Sequence, residues 1–133
     1  MSKTIQKIPK RGEIWLVDYN YKPKKGKEKE LEIASRIKKV RPSLVVSNNI
    51  QNELDEQIIM ASLTSDEIKE VADYEVFIKN TKETGLDKPS KVLLQRVRAV
   101  EKELRLIEYL GEVDKEIMKE VEKALKTVLD LED

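Results

Sequence analysis

The 133-residue sequence contains neither cysteine nor histidine. Without cysteine there is no disulfide framework and no thiol nucleophile. Without histidine the chain lacks the commonest general base and the commonest metal ligand. Aromatic residues make up only 5% of the chain, and no apolar run approaches the ~20 residues that a membrane-spanning helix needs. These absences exclude thiol and histidine-based hydrolases, and they favour a cytoplasmic protein without a cofactor.

Glycine is also scarce, and its four occurrences are isolated, so no glycine-rich phosphate loop is present. The first eleven residues lack the apolar centre of a signal peptide, and the length fits one domain. Zinc is implausible because only carboxylates remain as strong ligands. A magnesium site of Asp66, Glu67 and Asp73 is conceivable, but acidic groups on surface turns are usually just solvated. We therefore predict no metal and no cofactor.

The net charge is zero but unevenly distributed along the chain. Residues 1–41 hold 13 Lys and Arg against 5 Asp and Glu, whereas residues 101–133 hold 6 against 11. A basic first third and an acidic end predict a positive surface patch that attracts a polyanion or an acidic peptide. Ordinary solvating charge is an equally good interpretation of this pattern when it is taken alone.

Alternating apolar and polar positions predict a series of short strands. In residues 12–21, Ile14 and Leu16 face one way while Trp15 and Val17 face the other. Further strands are predicted at 42–47, 57–63 and 72–79, with one or two strands at 91–100. Residues 48–55 are typical of a turn or a single helical turn, and residues 85–89 of a loop. The stretch from 28 to 40 is compatible with a short helix or a strand.

The last part of the chain changes to a helical period. Its apolar positions recur every three or four residues and form one helical face: Val113, Ile117, Met118, Val121, Ala124, Leu125, Val128 and Leu129. Asp114 and Glu116 lie in the first turn, where negative charge is favoured. Strands followed by one terminal helix predict an α+β domain or a small barrel with a packed helix, rather than a βαβ unit.

Four short motifs follow one another along these predicted elements. They are KRGEIW at residues 10–15, RPSLVVSN at 41–48, ASLTS at 61–65 and LLQRVRAV at 93–100. Each motif is weak alone. In this order and at these approximate spacings, with the helix after them, they resemble the MazF/PemK toxins over nearly the whole chain.

The resemblance implies a fold and a reaction. The fold is a small, mostly antiparallel β-barrel of the SH3-like, CcdB/MazF type with a C-terminal helix, in one domain over residues 1–133 that forms a homodimer. The reaction is sequence-specific cleavage of single-stranded RNA to 2′,3′-cyclic phosphate and 5′-hydroxyl ends, which inhibits translation and growth. The substrate's own 2′-oxygen is the nucleophile, so neither a protein nucleophile nor a metal is required.

Arg41 carries over from the resemblance as the main catalytic residue. A guanidinium can grip two phosphate oxygens and stays charged at any working pH. Thr64 carries over as its partner, with a hydroxyl that can donate to a phosphate oxygen. Ser65, Gln95 and Arg96 are assigned to RNA binding.

Position 95 departs from one branch of the family, in which a carboxylate acts as general base. Glutamine cannot titrate, and Arg96 stands where the family usually has glutamine. The general base is therefore not identified by the sequence. Electrostatic stabilisation by Arg41 and Arg96, with Arg98 as a third cation, is one way in which such a chain could work without it; a different carboxylate is another.

The basic stretch at about 22–40 is a second departure, with eight Lys and Arg against three Glu. Lys24, Lys25 and Lys27 are predicted to contact the RNA backbone. Tyr19 and Tyr21 approach this stretch and are candidates for stacking on bases, whereas Trp15 is predicted in the core or a dimer interface.

The resemblance also implies a cognate antitoxin whose flexible acidic segment competes with RNA for one groove. The resemblance further implies that any DNA binding belongs to the toxin–antitoxin complex, and we expect no membrane to be involved. Two alternatives remain. A CcdB-like gyrase poison would lack the pair of Arg41 and Thr64, which this chain has. A catalytically silent regulator that binds nucleic acid is kept open by the changes at Gln95 and Arg96.

Overall fold

A computed structural model describes residues 7–20 and 40–132 of the chain. The basic stretch at residues 22–40 lies outside these ranges, except for Val40. The strands are β1 (Glu13–Asp18), β2 (Val40–Val45), β3 (Gln57–Thr64), β4 (Glu75–Ile78), β5 (Ser90–Leu93), β6 (Arg98–Glu101) and β7 (Leu106–Glu112). The helices are α1 (Asn49–Leu54), α2 (Lys102–Arg105) and α3 (Lys115–Leu129), and a 3₁₀ turn spans Leu94–Arg96.

Every strand pair in the described sheet is antiparallel. The hydrogen-bonded path runs β4-β5-β3-β2-β1-β7, and β6 pairs with β3 beside it. The long strand β3 pairs with β6 along its first half and with β5 at its end. The predicted 91–100 region is therefore two strands, and fully buried Leu94 anchors the 3₁₀ turn between them.

The central strands bury side chains on both faces. Ile14, Leu44 and Leu63 join one core cluster, which α3 covers with Met118 and Val121. A second cluster on the opposite face includes Val17, Val45 and Met60. A strand that is buried on both sides tolerates no slip of register, so the positions of the residues at the ends of β2 and β3 are fixed.

The terminal helix α3 confirms the predicted apolar period. Asp114 caps its start, because its carboxylate accepts a hydrogen bond from the Ile117 N–H at 2.9 Å. No helix in the described part of the chain is long and apolar enough to cross a membrane.

The sheet is open, although the two ends of its strand path are close together. The strands at these ends, β4 and β7, do not pair with each other within the described residues. The segment 81–86 bridges them instead, and the Glu112 N–H donates to the Glu83 carbonyl at 2.9 Å. A β-carbon on Gly85 would lie only 1.9 Å from the Leu110 carbonyl oxygen, so these backbones touch. The α+β class with a terminal helix is confirmed, and barrel-like closure is made by a turn segment.

Residues 102–112 form α2 and β7, which the sequence did not predict. β7 pairs with β1 through two register shifts. Its burial does not alternate, since three exposed residues follow buried Leu106 before Gly111 is buried again. Without a regular alternation the apolar pattern gives no strand signal.

Candidate functional site

Arg41 and Thr64 come from the ends of neighbouring strands. Arg41 lies in β2 opposite Val17 of β1, and the bias of a residue before proline keeps its backbone extended. On the other side, pairing of β2 with β3 begins at Ser43 and Ser62. Continuing that register by two residues sets Arg41 opposite Thr64, on the same face. The fold therefore brings the two predicted catalytic residues together where the ends of β2 and β3 meet.

A cleft of about 690 Å³ contains both of these side chains. It extends from the end of β3 to the 85–90 segment and β7, and we call it the Thr64 cleft. Ser65, which the sequence analysis assigns to RNA binding, lines it beside Thr64. Three carboxylates also line it: Asp66, Asp87 and Glu108.

The hydroxyl hydrogen of Thr64 is available to donate to a ligand. Its Oγ1 accepts a hydrogen bond from the Asp66 N–H at 3.1 Å. A backbone N–H can only donate, so this bond does not use the hydroxyl hydrogen. Among residues 7–20 and 40–132 that hydrogen has no acceptor. Thr64 can therefore direct it to an oxygen atom of a ligand.

A second cavity of about 520 Å³ adjoins the first at Arg41, which lines both. We call it the arginine pocket, because Arg41, Arg96 and Arg98 all line it, together with Tyr19, Ser62 and Gln95. No acidic side chain lines it in the described part of the chain. Three guanidinium groups that line one pocket make a site for phosphate. The predicted contacts Gln95 and Arg96 thus lie together with Arg41.

Tyr19 forms a fixed wall of the arginine pocket. Its hydroxyl shares a hydrogen bond of 2.5 Å with Ser43 Oγ, and the Arg98 guanidinium lies 5.1 Å from its ring centroid. Burial raises the pKa of Tyr19, although the Ser43 hydrogen bond and the charge of Arg98 oppose that rise. Tyr19 stays protonated near neutral pH and is no general base. Tyr21 lies outside the described residues.

The sequence also singled out Trp15 and three acidic residues, of which Asp66 lines the Thr64 cleft. Trp15 is 5% exposed, its Nε1 donates to Glu13 Oε1 at 3.0 Å, and its ring packs edge-on against Tyr109 at 5.7 Å. Trp15, predicted in the core or a dimer interface, lies in the core. No three acidic side chains in residues 7–20 and 40–132 are placed to hold a metal ion, which includes Asp66, Glu67 and Asp73.

Comparison with known proteins settles the family. The profile of the PemK-like, MazF-like toxins of type II toxin–antitoxin systems matches residues 10–129. This chain belongs to the PemK/MazF family. Endoribonuclease EndoA of Bacillus subtilis (strain 168) is 32% identical over 126 residues, which cover 95% of this chain and 98% of that protein.

Solved structures share the PemK/MazF fold. An endoribonuclease in complex with its cognate antitoxin, from Mycobacterial species, superposes with a TM-score of 0.70 at 23% identity, covering 94% of this chain and 98% of that one. MazE–MazF from Deinococcus radiodurans gives 0.68 at 18% identity, covering 96% and 100%. These matches confirm the MazF-type fold that the sequence predicted.

Glu108 lines the Thr64 cleft, although the sequence did not predict it as a site residue. Leu16 of β1 pairs with Pro42 on one side and with Glu108 of β7 on the other. Glu108 therefore lies across β1 from Pro42, the residue that follows Arg41. Only the pairing of β1 with β7 places Glu108 there, and no local sequence pattern predicts β7. The predicted contacts Lys24, Lys25 and Lys27 lie outside the described residues.

Proposed function

We propose that this chain is the endoribonuclease of a type II toxin–antitoxin system, acting in the cytoplasm on single-stranded RNA at specific sequences. Arrest of translation and growth would follow from that cleavage. The observation that supports the proposal is the place of Arg41. It lines both a cleft that holds a hydroxyl donor and carboxylates and a pocket that Arg96 and Arg98 also line.

Arg41 and Thr64 act on the scissile phosphate in this mechanism. The ribose 2′-oxygen attacks the adjacent phosphorus, the bond to the 5′-oxygen breaks, and the products are a 2′,3′-cyclic phosphate and a 5′-hydroxyl. Arg41 grips the phosphate oxygens and Thr64 donates its hydroxyl hydrogen to one of them, so both bonds strengthen as negative charge develops. Arg96 and Arg98 hold a neighbouring phosphate and align the attacking oxygen.

The Thr64 cleft also supplies proton acceptors. Arginine cannot accept a proton near neutral pH, and Gln95 lies in the arginine pocket. Asp66, Asp87 and Glu108 line the cleft, and a carboxylate is a competent general base. We assign removal of the 2′-hydroxyl proton to this group of carboxylates, and no metal or cofactor takes part.

The partners in this proposal are single-stranded RNA, a cognate antitoxin and a second copy of the chain. The toxin domain spans residues 1–133, and DNA binding belongs to the toxin–antitoxin complex alone. An acidic antitoxin segment fits the same cationic surface as RNA, because Arg41, Arg96 and Arg98 share one pocket. Occupancy of that pocket by the segment would inhibit cleavage.

A mixed RNA pool tests this function. The purified protein is incubated with the pool in EDTA, and the new 5′-hydroxyl ends are sequenced. Recurrent cut sites are expected, and addition of Mg²⁺ should not increase their number. RNA binding without cutting would favour the silent regulator, and capture of gyrase without cutting would favour the CcdB-like poison. Either result would reject the nuclease.

A second expectation concerns the basic stretch. We propose that Lys24, Lys25 and Lys27 bind the RNA backbone. The logarithm of single-strand affinity falls with the logarithm of salt by about 0.7 per phosphate neutralised. Replacing all three lysines with alanine should therefore make that slope shallower by about 2.

The control for this variant removes the same charge elsewhere. Lys115, Lys119 and Lys123 are exposed on α3 and line neither the Thr64 cleft nor the arginine pocket. Their triple alanine variant should keep the original slope in the same fluorescence titrations. Equal slopes for the two triple variants would mean that Lys24, Lys25 and Lys27 do not contact the RNA.

A further inference from the structure

A buried ion pair lies beside the arginine pocket without lining it. Lys91 Nζ is 2.9 Å from Glu75 Oε1, and the two side chains are 8% and 9% exposed. Lys91 Nζ also donates to the Glu70 carbonyl at 2.7 Å, and the Ala72 N–H donates to Glu75 Oε1 at 3.1 Å. A buried ion pair contributes little net stability, because desolvation offsets the attraction between the charges. Its position suggests another use.

Gln95 connects this ion pair to the pocket. Its Nε2 donates to Glu75 Oε2 at 2.8 Å, while the side chain itself lines the arginine pocket. Burial raises the pKa of Glu75, but hydrogen bonds from Lys91, Gln95 and the Ala72 N–H outweigh that effect and leave it lowered. The carboxylate is thus ionised near neutral pH and can only accept hydrogen bonds.

The orientation of the Gln95 amide follows from this chemistry. The NH₂ group must face Glu75, because two acceptors cannot share a hydrogen bond. The carbonyl oxygen Oε1 is then the free end of the amide, and it accepts no hydrogen bond from the described residues. Arg41, Arg96 and Arg98 around it can only donate. Gln95 therefore offers an acceptor among three donors.

We propose that the pair of Glu75 and Lys91 sets the specificity of the arginine pocket by fixing this orientation of Gln95. Resting on the proposed nuclease function, the inference names the ligand group: a hydrogen-bond donor on the nucleotide in the pocket. Two groups in RNA have this chemistry, the ribose 2′-hydroxyl and the amino or imino edge of a base. Glu75 and Lys91 are positioning residues, since Gln95 is the only one of these three residues that touches the substrate.

The test compares a short RNA that carries one cut site with analogues that each lack one donor. In the first set, each analogue carries a single 2′-deoxyribose, at a different position in each analogue but never at the one that supplies the nucleophile. The other replaces adenine, guanine or cytosine with a base that lacks the exocyclic amino group. Single-turnover rates for the wild type should fall about 10- to 100-fold on one of these analogues, as is usual when a hydrogen-bonded edge is lost.

Two variants should remove this discrimination. Gln95→Met deletes the acceptor. Glu75→Gln with Lys91→Met frees the amide to rotate and leaves no unpaired buried charge, so the fold is retained. Both are expected to cut the parent RNA more slowly and to cut the critical analogue at the same rate as the parent. Glu116→Gln with Lys119→Met, which neutralises an exposed ion pair on α3, should discriminate as the wild type does.

The outcomes separate this inference from the function on which it rests. Loss of discrimination at a 2′-deoxy position assigns the contact to the ribose, and loss at an amino-deficient base assigns it to the base edge. Both results support the inference. Unchanged discrimination in the double variant of Glu75 and Lys91 overturns it while the nuclease stands. Failure of the wild type to cut any RNA overturns both.

Discussion

Replacing Arg41 with alanine is expected to lower the single-turnover rate of RNA cleavage by about 10³-fold or more. Removing one preorganised donor from a transition-state oxyanion slows catalysis about 10²–10³-fold, and removing an arginine from a phosphoryl transition state about 10³–10⁵-fold. Arg41 lines both cavities of the site, so its loss removes contacts on each side of the phosphate. Quantifying the 5′-hydroxyl product on a substrate that carries a mapped cut site measures the effect.

Three variants separate catalysis from folding and from simple loss of charge. Arg41 is exposed, so the unfolding free energy of the alanine variant should change by less than about 0.5 kcal/mol. Arg41→Lys keeps the charge but loses the two-point grip, and we expect an intermediate rate. Lys115→Ala removes one charge on α3 and should cut at the wild-type rate. Wild-type cleavage by a folded Arg41→Ala variant would remove Arg41 from the mechanism.

Thr64→Val should cut faster than Arg41→Ala, because it removes a single neutral donor of the same shape. If both side chains hold one phosphate, the double variant should lose less than the sum of the two free-energy changes, since groups that act as a unit are not additive. Full additivity would mean that the register places Thr64 away from the phosphate.

The position of Arg41 and Thr64 could be predicted because local rules decide it. The extended residue before Pro42 and the alternation in residues 57–63 set these two side chains at strand ends. The pairing of Ser43 with Ser62 then brings the ends together. Short-range pattern and sheet register therefore agree at this edge of the molecule.

Contacts between distant parts of the chain could not be predicted in this way. Glu108 reaches the cleft through pairing of β7 with β1, and Glu75 holds Gln95 across 20 positions of sequence. Both glutamates look like ordinary solvated charges in the sequence, since no periodicity distinguishes them. Their partners become visible only when the sheet is assembled, which is why the sequence does not predict the hydrogen bond of Gln95 to Glu75 or the place of Glu108 in the cleft.

The closure between segment 81–86 and β7 leads to the largest expected effect on stability. Gly85 has a φ of +71°, which an L side chain adopts only under strain, and its missing β-carbon leaves room for the Leu110 carbonyl. Gly85→Ala would impose this backbone strain and would also place the new β-carbon 1.9 Å from the Leu110 carbonyl oxygen, so the backbone would have to move. We expect a loss of about 3 kcal/mol or more in the free energy of unfolding, and a melting temperature lower by about 10 °C.

Gly12 provides the matched control for this variant. Its φ of +93° imposes a similar strain, but the nearest atom to an added β-carbon is Met118 Cγ at 3.6 Å, an ordinary contact. Gly12→Ala should therefore lose only about 1–2 kcal/mol, and the difference between the variants measures the collision. Gly85 and Leu86 also line the Thr64 cleft, so displacement of the segment should slow cleavage in Gly85→Ala at temperatures where it stays folded. Equal destabilisation of the two variants would mean that segment 81–86 does not close against β7, and the cleft would then lack that wall.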